Sequence, residues 1–338
     1  MKFITAVLAV ALSLGSAAAA RAQDGSIGGL KAKVVDVNGV KARYYEAGQG
    51  EPLLLIHGGS TGGSSTANVW SRNIPGLAKK YHVFAIDRLG SGLSGNPANH
   101  DYGNAAQVEF VYQFIKAMKL SQIHLVGHSM GGAVALYTAI AHPDLFKTLT
   151  IVAHGPENPP AANGDTKLQP ELLKCPNQEV YEGLKCRVEK LAWGDKTFDK
   201  EYWDADIQMA TTAKSKEARA QVSAAQKNPD YAKQGAAYRE KAWEQIKSGV
   251  LGQMPVLIYS GKQDVLDWGV NEPTAMLRGE LGLFDILGTK NRNVQMIIVN
   301  EGGHFMYREH PELFNADLTT FIEFWNQRAA AAKKGTQQ

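Results

Sequence analysis

The sequence predicts an α/β fold class: a mostly parallel central sheet flanked by helices, with one helical insertion. Three observations predict it. Short apolar runs alternate with helical patterns over residues 33–155 and again over 251–328. Alternation of that kind implies parallel strands covered on both faces. The alternation stops between 156 and 250, where polar, helix-forming sequence carries scattered aromatics. Finally, the turns after the apolar runs are where most of the chemically useful side chains sit, and ligands bind at the carboxyl ends of strands in such sheets.

The elements follow in order. Residues 33–38 and 40–47 alternate apolar and polar residues around Asn38-Gly39, a hairpin signal. Residues 52–56 (Pro-Leu-Leu-Leu-Ile) read as a buried strand, 69–80 as a helix, and 81–86 (Tyr-His-Val-Phe-Ala-Ile) as the next strand. Over 105–120, Val108, Val111, Phe114, Ile115 and Met118 fall at helical spacing. Strands are expected at 121–126, 149–155, 255–260 and 293–299, and a small-residue helix over 132–141 that ends at His142-Pro143. The units are then a core of 23–155 and 251–328, a helical cap of 156–250, and a disordered tail of 329–338. Trp193, Phe198, Tyr202, Trp203, Tyr231, Tyr238 and Trp243 lie in the cap. At least half of them are expected to pack it onto the core, the rest to line an apolar pocket.

Residues 1–22 read as a secretory leader. Lys2 precedes an apolar run from Phe3 to Leu14, and Ala20-Arg21-Ala22 is an A-x-A cleavage site, so cleavage is expected before Gln23. The run is too short to span a bilayer, and no later stretch is long enough, so no stable membrane insertion is expected. A periplasmic or secreted location follows. Losing Lys2 and Arg21 takes the formal charge from +3 to +1, a balance that gives nucleic acid no purchase. Cys175 and Cys186 are the two cysteines, and in an oxidising compartment they are expected to pair as a disulfide. No His or Cys cluster has metal-ligand spacing, so neither metal nor cofactor is expected. Oligomeric state is not readable.

The motifs carry the chemistry. Gly127-His128-Ser129-Met130-Gly131 sits between the strand at 121–126 and the helix at 132–141. A serine on such a corner is lifted clear of the sheet. The helix that begins there aims free N–H groups at any anion formed on a substrate. The strand at 255–260 runs into Gly261-Lys262-Gln263-Asp264, and the strand at 293–299 into Asn300-Glu301-Gly302-Gly303-His304. An acyl-transfer serine needs a base, and that base needs a carboxylate to hold its tautomer. Asp267 is a second candidate for the acid if the turn runs longer. His310 reads as a surface residue at the start of the last helix, and His128 as packing beside the serine.

Together these sites resemble the α/β-hydrolase superfamily, whose chain order is Ser, then Asp or Glu, then His. The resemblance implies a triad of Ser129, Asp264 and His304. It also implies an oxyanion hole from the backbone N–H groups of Met130, after the nucleophile, and Gly59, in the His57-Gly58-Gly59 loop after the strand at 52–56. The turn Asp87-Arg88-Leu89-Gly90-Ser91-Gly92-Leu93-Ser94 resembles the superfamily's D-x-x-G-x-G-x-S turn and reads as architecture. A serine rather than an aspartate at the elbow argues against the epoxide-hydrolase and haloalkane-dehalogenase branches.

Residues 54–59, 70–78 and 129–132 look like the meta-cleavage-product hydrolases, which cut carbon–carbon bonds in vinylogous diketo acids. Three departures point elsewhere: His128 where that branch usually has Asn, Phe305 where it often has Trp, and the leader. The expectation is therefore an exported serine hydrolase of small or aromatic carboxylic esters acting through an acyl-enzyme. C–C hydrolysis of the meta-cleavage type is the alternative. A hydrolase-fold binding protein with vestigial activity is the reading from another class. Arg187 is a cap cation able to meet a substrate carboxylate.

Overall fold

The computed structural model describes residues 24–154, 175–176, 181–266 and 275–335. The leader at 1–22, the loop that opens the cap and Asp267 lie outside the described residues. Eight strands form one sheet: β1 (Ala32–Val37), β2 (Val40–Ala47), β3 (Glu51–Ile56), β4 (Tyr81–Ile86), β5 (Ile123–His128), β6 (Phe146–Val152), β7 (Val256–Gly261) and β8 (Val294–Val299). Their order is β1-β2-β4-β3-β5-β6-β7-β8. The pairs β1/β2 and β2/β4 are antiparallel and the other five parallel. The chain switches direction across the sheet at β3, which places β3 and β5 side by side and opens a crevice off their carboxyl ends.

The central strands read as unbroken apolar runs because both faces are covered. Leu53, Leu54, Leu55 and Ile56 are all fully buried, alternate side chains entering opposite layers. On one face pack Val108, Val111, Phe114 and Ile115 of a helix at Asn104–Ala117, Ala133 to Ile140 of a helix at Met130–Ala141, and Leu283 and Leu287 of a helix at Ala275–Gly288. On the other lie Trp70, Ile74 and Leu77, and Phe314, Leu318 and Ile322 of the last helix, Pro311–Gly335. The cap supplies helices at Tyr181–Leu191, Lys200–Ala210, Ala213–Gln226 and Pro229–Ser248.

Two local expectations are corrected. The single helix expected over 69–80 is a 3-10 turn at Ala67–Trp70 followed by a four-residue helix at Ile74–Leu77. The Arg308 guanidinium donates to the Val69 carbonyl oxygen at 3.2 Å and, at 3.3 Å, to that of Asn68, which also closes the 3-10 turn by accepting Ser71 N–H at 3.0 Å. A distant side chain thus engages acceptors that a continuing helix would use. The tail expected to be disordered from 329 is helical to Gly335. Its alanines and lysines are strong helix formers that extend the preceding helix at little cost.

Cap packing follows the aromatics. Phe198, Tyr202, Trp203 and Trp243 are buried, and Tyr238 meets Tyr137 of the core edge-to-face at 4.9 Å. Trp193 is 54% exposed and does not join the core. Cys175 and Cys186 form the expected disulfide, with Cα atoms 5.7 Å apart. No helix among the described residues is long and apolar enough to cross a membrane.

Candidate active site

Steric exclusion builds the elbow. A Cβ at Gly127 would lie 2.2 Å from the Gly131 carbonyl oxygen, and one at Gly131 would lie 2.3 Å from that of His57. Only glycine lets the helix at Met130–Ala141 approach β5 and β3 this closely. Between them Ser129 is forced to φ 52°, ψ −124°, outside the regions a non-glycine residue prefers. Two backbone bonds hold the strain: Ser129 N–H donates to Val152 O at 2.8 Å, and Ser129 O accepts from Gly132 N–H at 2.7 Å. Ser129 itself is 8% exposed.

β7 and β8 deliver the other two groups. The Asp264 carboxylate accepts from His304 Nδ1 at 2.7 Å, both side chains being buried. Its second oxygen accepts from Leu266 N–H at 3.0 Å, so the carboxylate is aimed by its own turn. With Nδ1 donating, Nε2 of the neutral imidazole is the free acceptor, as a general base requires. Among the described residues no hydrogen bond joins Ser129 Oγ to His304. Such bonds often tighten only when substrate is bound. The elbow and the imidazole are nonetheless neighbours. The rings of His128 and His304 lie 4.7 Å apart, and His128 Nε2 donates to the His304 carbonyl oxygen at 2.8 Å.

His128 is thus spent on structure, as its sequence position suggested. Its Nδ1 accepts from the Tyr307 hydroxyl at 3.2 Å. Burial first, and the neighbouring His304 next, hold its pKa well below the usual value, so it stays neutral. His310 bonds the Glu301 carbonyl oxygen at 2.9 Å, bracing the loop that carries His304.

Gly59 lies in the loop after β3 and Met130 at the first position of the helix after β5. The peptide joining Gly58 to Gly59 is fixed from behind. His57 Nδ1 donates to Gly58 O at 2.7 Å, and His57 Nε2 accepts from Arg88 N–H at 3.0 Å. Arg88 also donates to the Gly59 carbonyl oxygen. Burial, then the Arg88 charge, lower the His57 pKa to about 3, so the ring keeps one tautomer. The carbonyl end of the peptide is held, and its N–H faces the opposite way.

Sequence reading missed a buried polar cluster that ties cap to core. Asp206, on the cap helix Lys200–Ala210, accepts from Thr66 Oγ1 at 3.0 Å and Asn68 Nδ2 at 2.7 Å. Asn68 Oδ1 in turn accepts from Arg43, whose guanidinium pairs with Asp87 at 3.2 Å. The Asp87 turn does prove architectural, since its carboxylate also takes the N–H groups of Ala67 and Leu93. Arg187 lies on the cap helix Tyr181–Leu191 and is already engaged within the fold. Among the described residues no group of three or more His, Cys, Asp or Glu is placed to hold a metal ion.

A carboxylate–imidazole pair near a strained serine can add an oxygen nucleophile to a carbonyl, and backbone N–H groups at the elbow would be the ones to hold the resulting anion. Comparison with known proteins agrees in kind. The family model of the alpha/beta hydrolase fold matches residues 51–311. A 2-hydroxy-6-oxo-6-(2'-aminophenyl)hexa-2,4-dienoic acid hydrolase of Metapseudomonas resinovorans is 40% identical over 121 residues, 36% of this chain and 41% of that one. A 2-hydroxymuconate semialdehyde hydrolase of a Pseudomonas species is 35% identical over 126 residues, 37% of this chain and 44% of that one. The matched stretches thus span less than half of either relative. Among solved structures, a serine hydrolase involved in carbazole degradation superposes with a TM-score of 0.66 at 25% identity, covering 87% of this chain and 99% of that one.

The two sequence relatives correct the expectation of a carboxylic-ester hydrolase, since both are named as hydrolases of a dienoic acid or a muconate semialdehyde and neither as an esterase. The residues that argued for esters are packing positions. His128 is consumed by the His304 loop and Tyr307, while Phe305 is 4% exposed and meets Phe198 edge-to-face at 4.9 Å. Neither decides the leaving group.

Proposed function

Because the chain belongs to the alpha/beta hydrolase fold family, and is a hydrolase, we propose that it hydrolyses a carbon–carbon bond in a conjugated 2-hydroxy-6-oxo-dienoate of the kind left by ring fission. The 40% identity to a dienoic acid hydrolase carries this reading, and the Asp264–His304 pair beside Ser129 supplies its chemistry. His304 Nε2 takes the Ser129 proton as Oγ adds to the ketone carbon. The oxyanion is received by the N–H groups of Gly59 and Met130. Its collapse breaks the C–C bond, and the departing electron pair is delocalised into the conjugated chain, which takes the proton from the His304 imidazolium. Water, deprotonated by His304, then opens the acyl-serine to release a carboxylic acid. An ester needs no such electron sink, since its leaving group is an alkoxide.

The test compares a 2-hydroxy-6-oxo-6-aryl-hexadienoate with p-nitrophenyl butyrate on one preparation. The dienoate is expected to be favoured in kcat/KM by about a hundredfold or more, and Ser129→Ala to remove turnover of both. A preference for the ester sinks the proposal. Export through residues 1–22 also stands as a proposal, supported by their sequence alone. Full-length chain expressed in a Gram-negative host is expected in the osmotic-shock fraction with Gln23 at its N-terminus. Intact chain retaining Met1 in the cytosol overturns it.

A further inference from the structure

One carboxylate outside the triad grips the catalytic loop and the cap together. Glu309 ends the four-residue helix Met306–Glu309, one turn after His304. Its Oε2 accepts from Gly303 N–H at 2.7 Å, the residue just before His304. Its Oε1 accepts from Trp193 N–H at 2.8 Å, in the turn that leaves the cap helix Tyr181–Leu191. The same two segments are joined a second time, His304 N–H donating to Leu191 O at 2.9 Å. They lie flush: a Cβ at Gly303 would stand 2.5 Å from Trp193 N and 2.8 Å from Leu191 O. Gly303 is therefore where the cap backbone meets the histidine loop.

We infer that Glu309 is a positioning residue for His304, and that through it the cap turn at 191–193 sets where the imidazole stands over Ser129. This rests on the reading of His304 as the general base. Each link has a physical consequence. A carboxylate is acceptor-only, with an oxygen for each N–H, so it satisfies both donors at once. Burial holds the Glu309 carboxyl pKa above its ordinary value, and the N–H groups of Gly303 and Trp193 offset part of that rise, so the two bonds favour the ionised form. Glutamine has the same shape but one acceptor, and its amide turns a donor toward the second N–H. The loop would then lose one of its fixed points while Asp264 kept its bond to Nδ1. An imidazole misplaced by a fraction of an ångström lowers the rate of proton transfer without altering what the pocket binds.

The experiment uses Glu309→Gln, Trp193→Pro, which deletes the cap's N–H while leaving the carboxylate, and the double variant. Each is assayed on the dienoate, with a fluorophosphonate probe counting reactive serines. Each single variant is expected to lower kcat about tenfold with KM within twofold and one probe bound per chain. The acid limb of the pH profile is expected to move with it. The double variant is expected to fall little further, because both changes cut one link. Parent-like kcat in the single variants overturns the inference, as does a fall matched by lost probe stoichiometry, or two effects that simply add. Should Glu309→Gln fail to fold, Trp193→Pro decides alone. Parent-like Glu309→Gln beside a dead Ser129→Ala sinks this inference only; an active Ser129→Ala sinks the reading beneath it.

Discussion

At single side chains, the chemistry turns on which polar groups are buried with partners and which with rivals. Asp264 has its partners supplied locally and directly, by Leu266 N–H and His304 Nδ1. Asp206 does not. Burial first, and the nearby Asp87 second, push its carboxyl up to about 7, because two buried acids share the single guanidinium of Arg43 along one hydrogen-bonded path. The sign follows. An unfolded aspartate ionises near 3.9, so between about pH 4 and 7 the folded chain holds a proton that the unfolded chain has lost. Stability contributed by this group is therefore full below about pH 4, declines as pH rises to about 7, and is flat above. Asp206→Asn, neutral throughout, is expected to lose that slope. Its stability difference between pH 4 and pH 8, from urea unfolding, should shrink against the parent by at most roughly 4 kcal/mol. An unchanged slope in the variant would show that the decline comes from other groups.

Among elements, the cap is where local sequence and tertiary fold diverge most. Its helix at Lys200–Ala210 buries Tyr202, Trp203, Ile207 and Met209 against the core, whereas Ala213–Gln226 buries only Ser215 and Ala218. The helix Tyr181–Leu191 has fewer apolar anchors and is braced by the Cys175–Cys186 disulfide. A loop of that length is worth about 3 kcal/mol in restricted unfolded chain. Reduction is accordingly expected to destabilise the start of the cap and leave the sheet intact. Under dithiothreitol, proteolytic cleavage should appear first between 155 and 200, with the core fragments surviving. Identical cleavage patterns in oxidised and reduced protein would remove the disulfide from this role. If the inference on Glu309 holds, reduction also slows turnover, since the braced helix ends at Leu191, whose carbonyl accepts from His304 N–H.

Over the whole chain, one sheet gathers groups from 59, 129, 264 and 304 at one rim, and much of that was legible beforehand. Strand positions emerged because both faces of the sheet are buried and its strands are continuous apolar runs. The candidate triad positions were legible because each sits on a turn with a recognisable local pattern, such as the glycines at 127 and 131. The helix expected over 69–80 was misread because Arg308, the donor that engages the carbonyl oxygens of its first turn, lies far along the chain. Glu309, Asp206 and the Asn68–Arg43–Asp87 path went unseen for the same reason. An acid at 309 or 206 looks like any solvated helix charge until the fold brings Trp193, or Thr66, against it. The ester expectation, drawn from His128, Phe305 and the leader, failed against relatives named as dienoate and semialdehyde hydrolases; His128 and Phe305 are committed to contacts within the fold.

By itself, then, the sequence determined the layered architecture and singled out Ser129, Asp264 and His304 as candidates, since short-range sterics and hydrophobic patterning encode these within a few residues. Tertiary structure alone decided which buried charges meet, how the cap is fastened to the histidine loop, and where helices break. Those outcomes depend on partners separated by more than a hundred positions, and a pairing at that distance leaves no period or spacing in the chain to read.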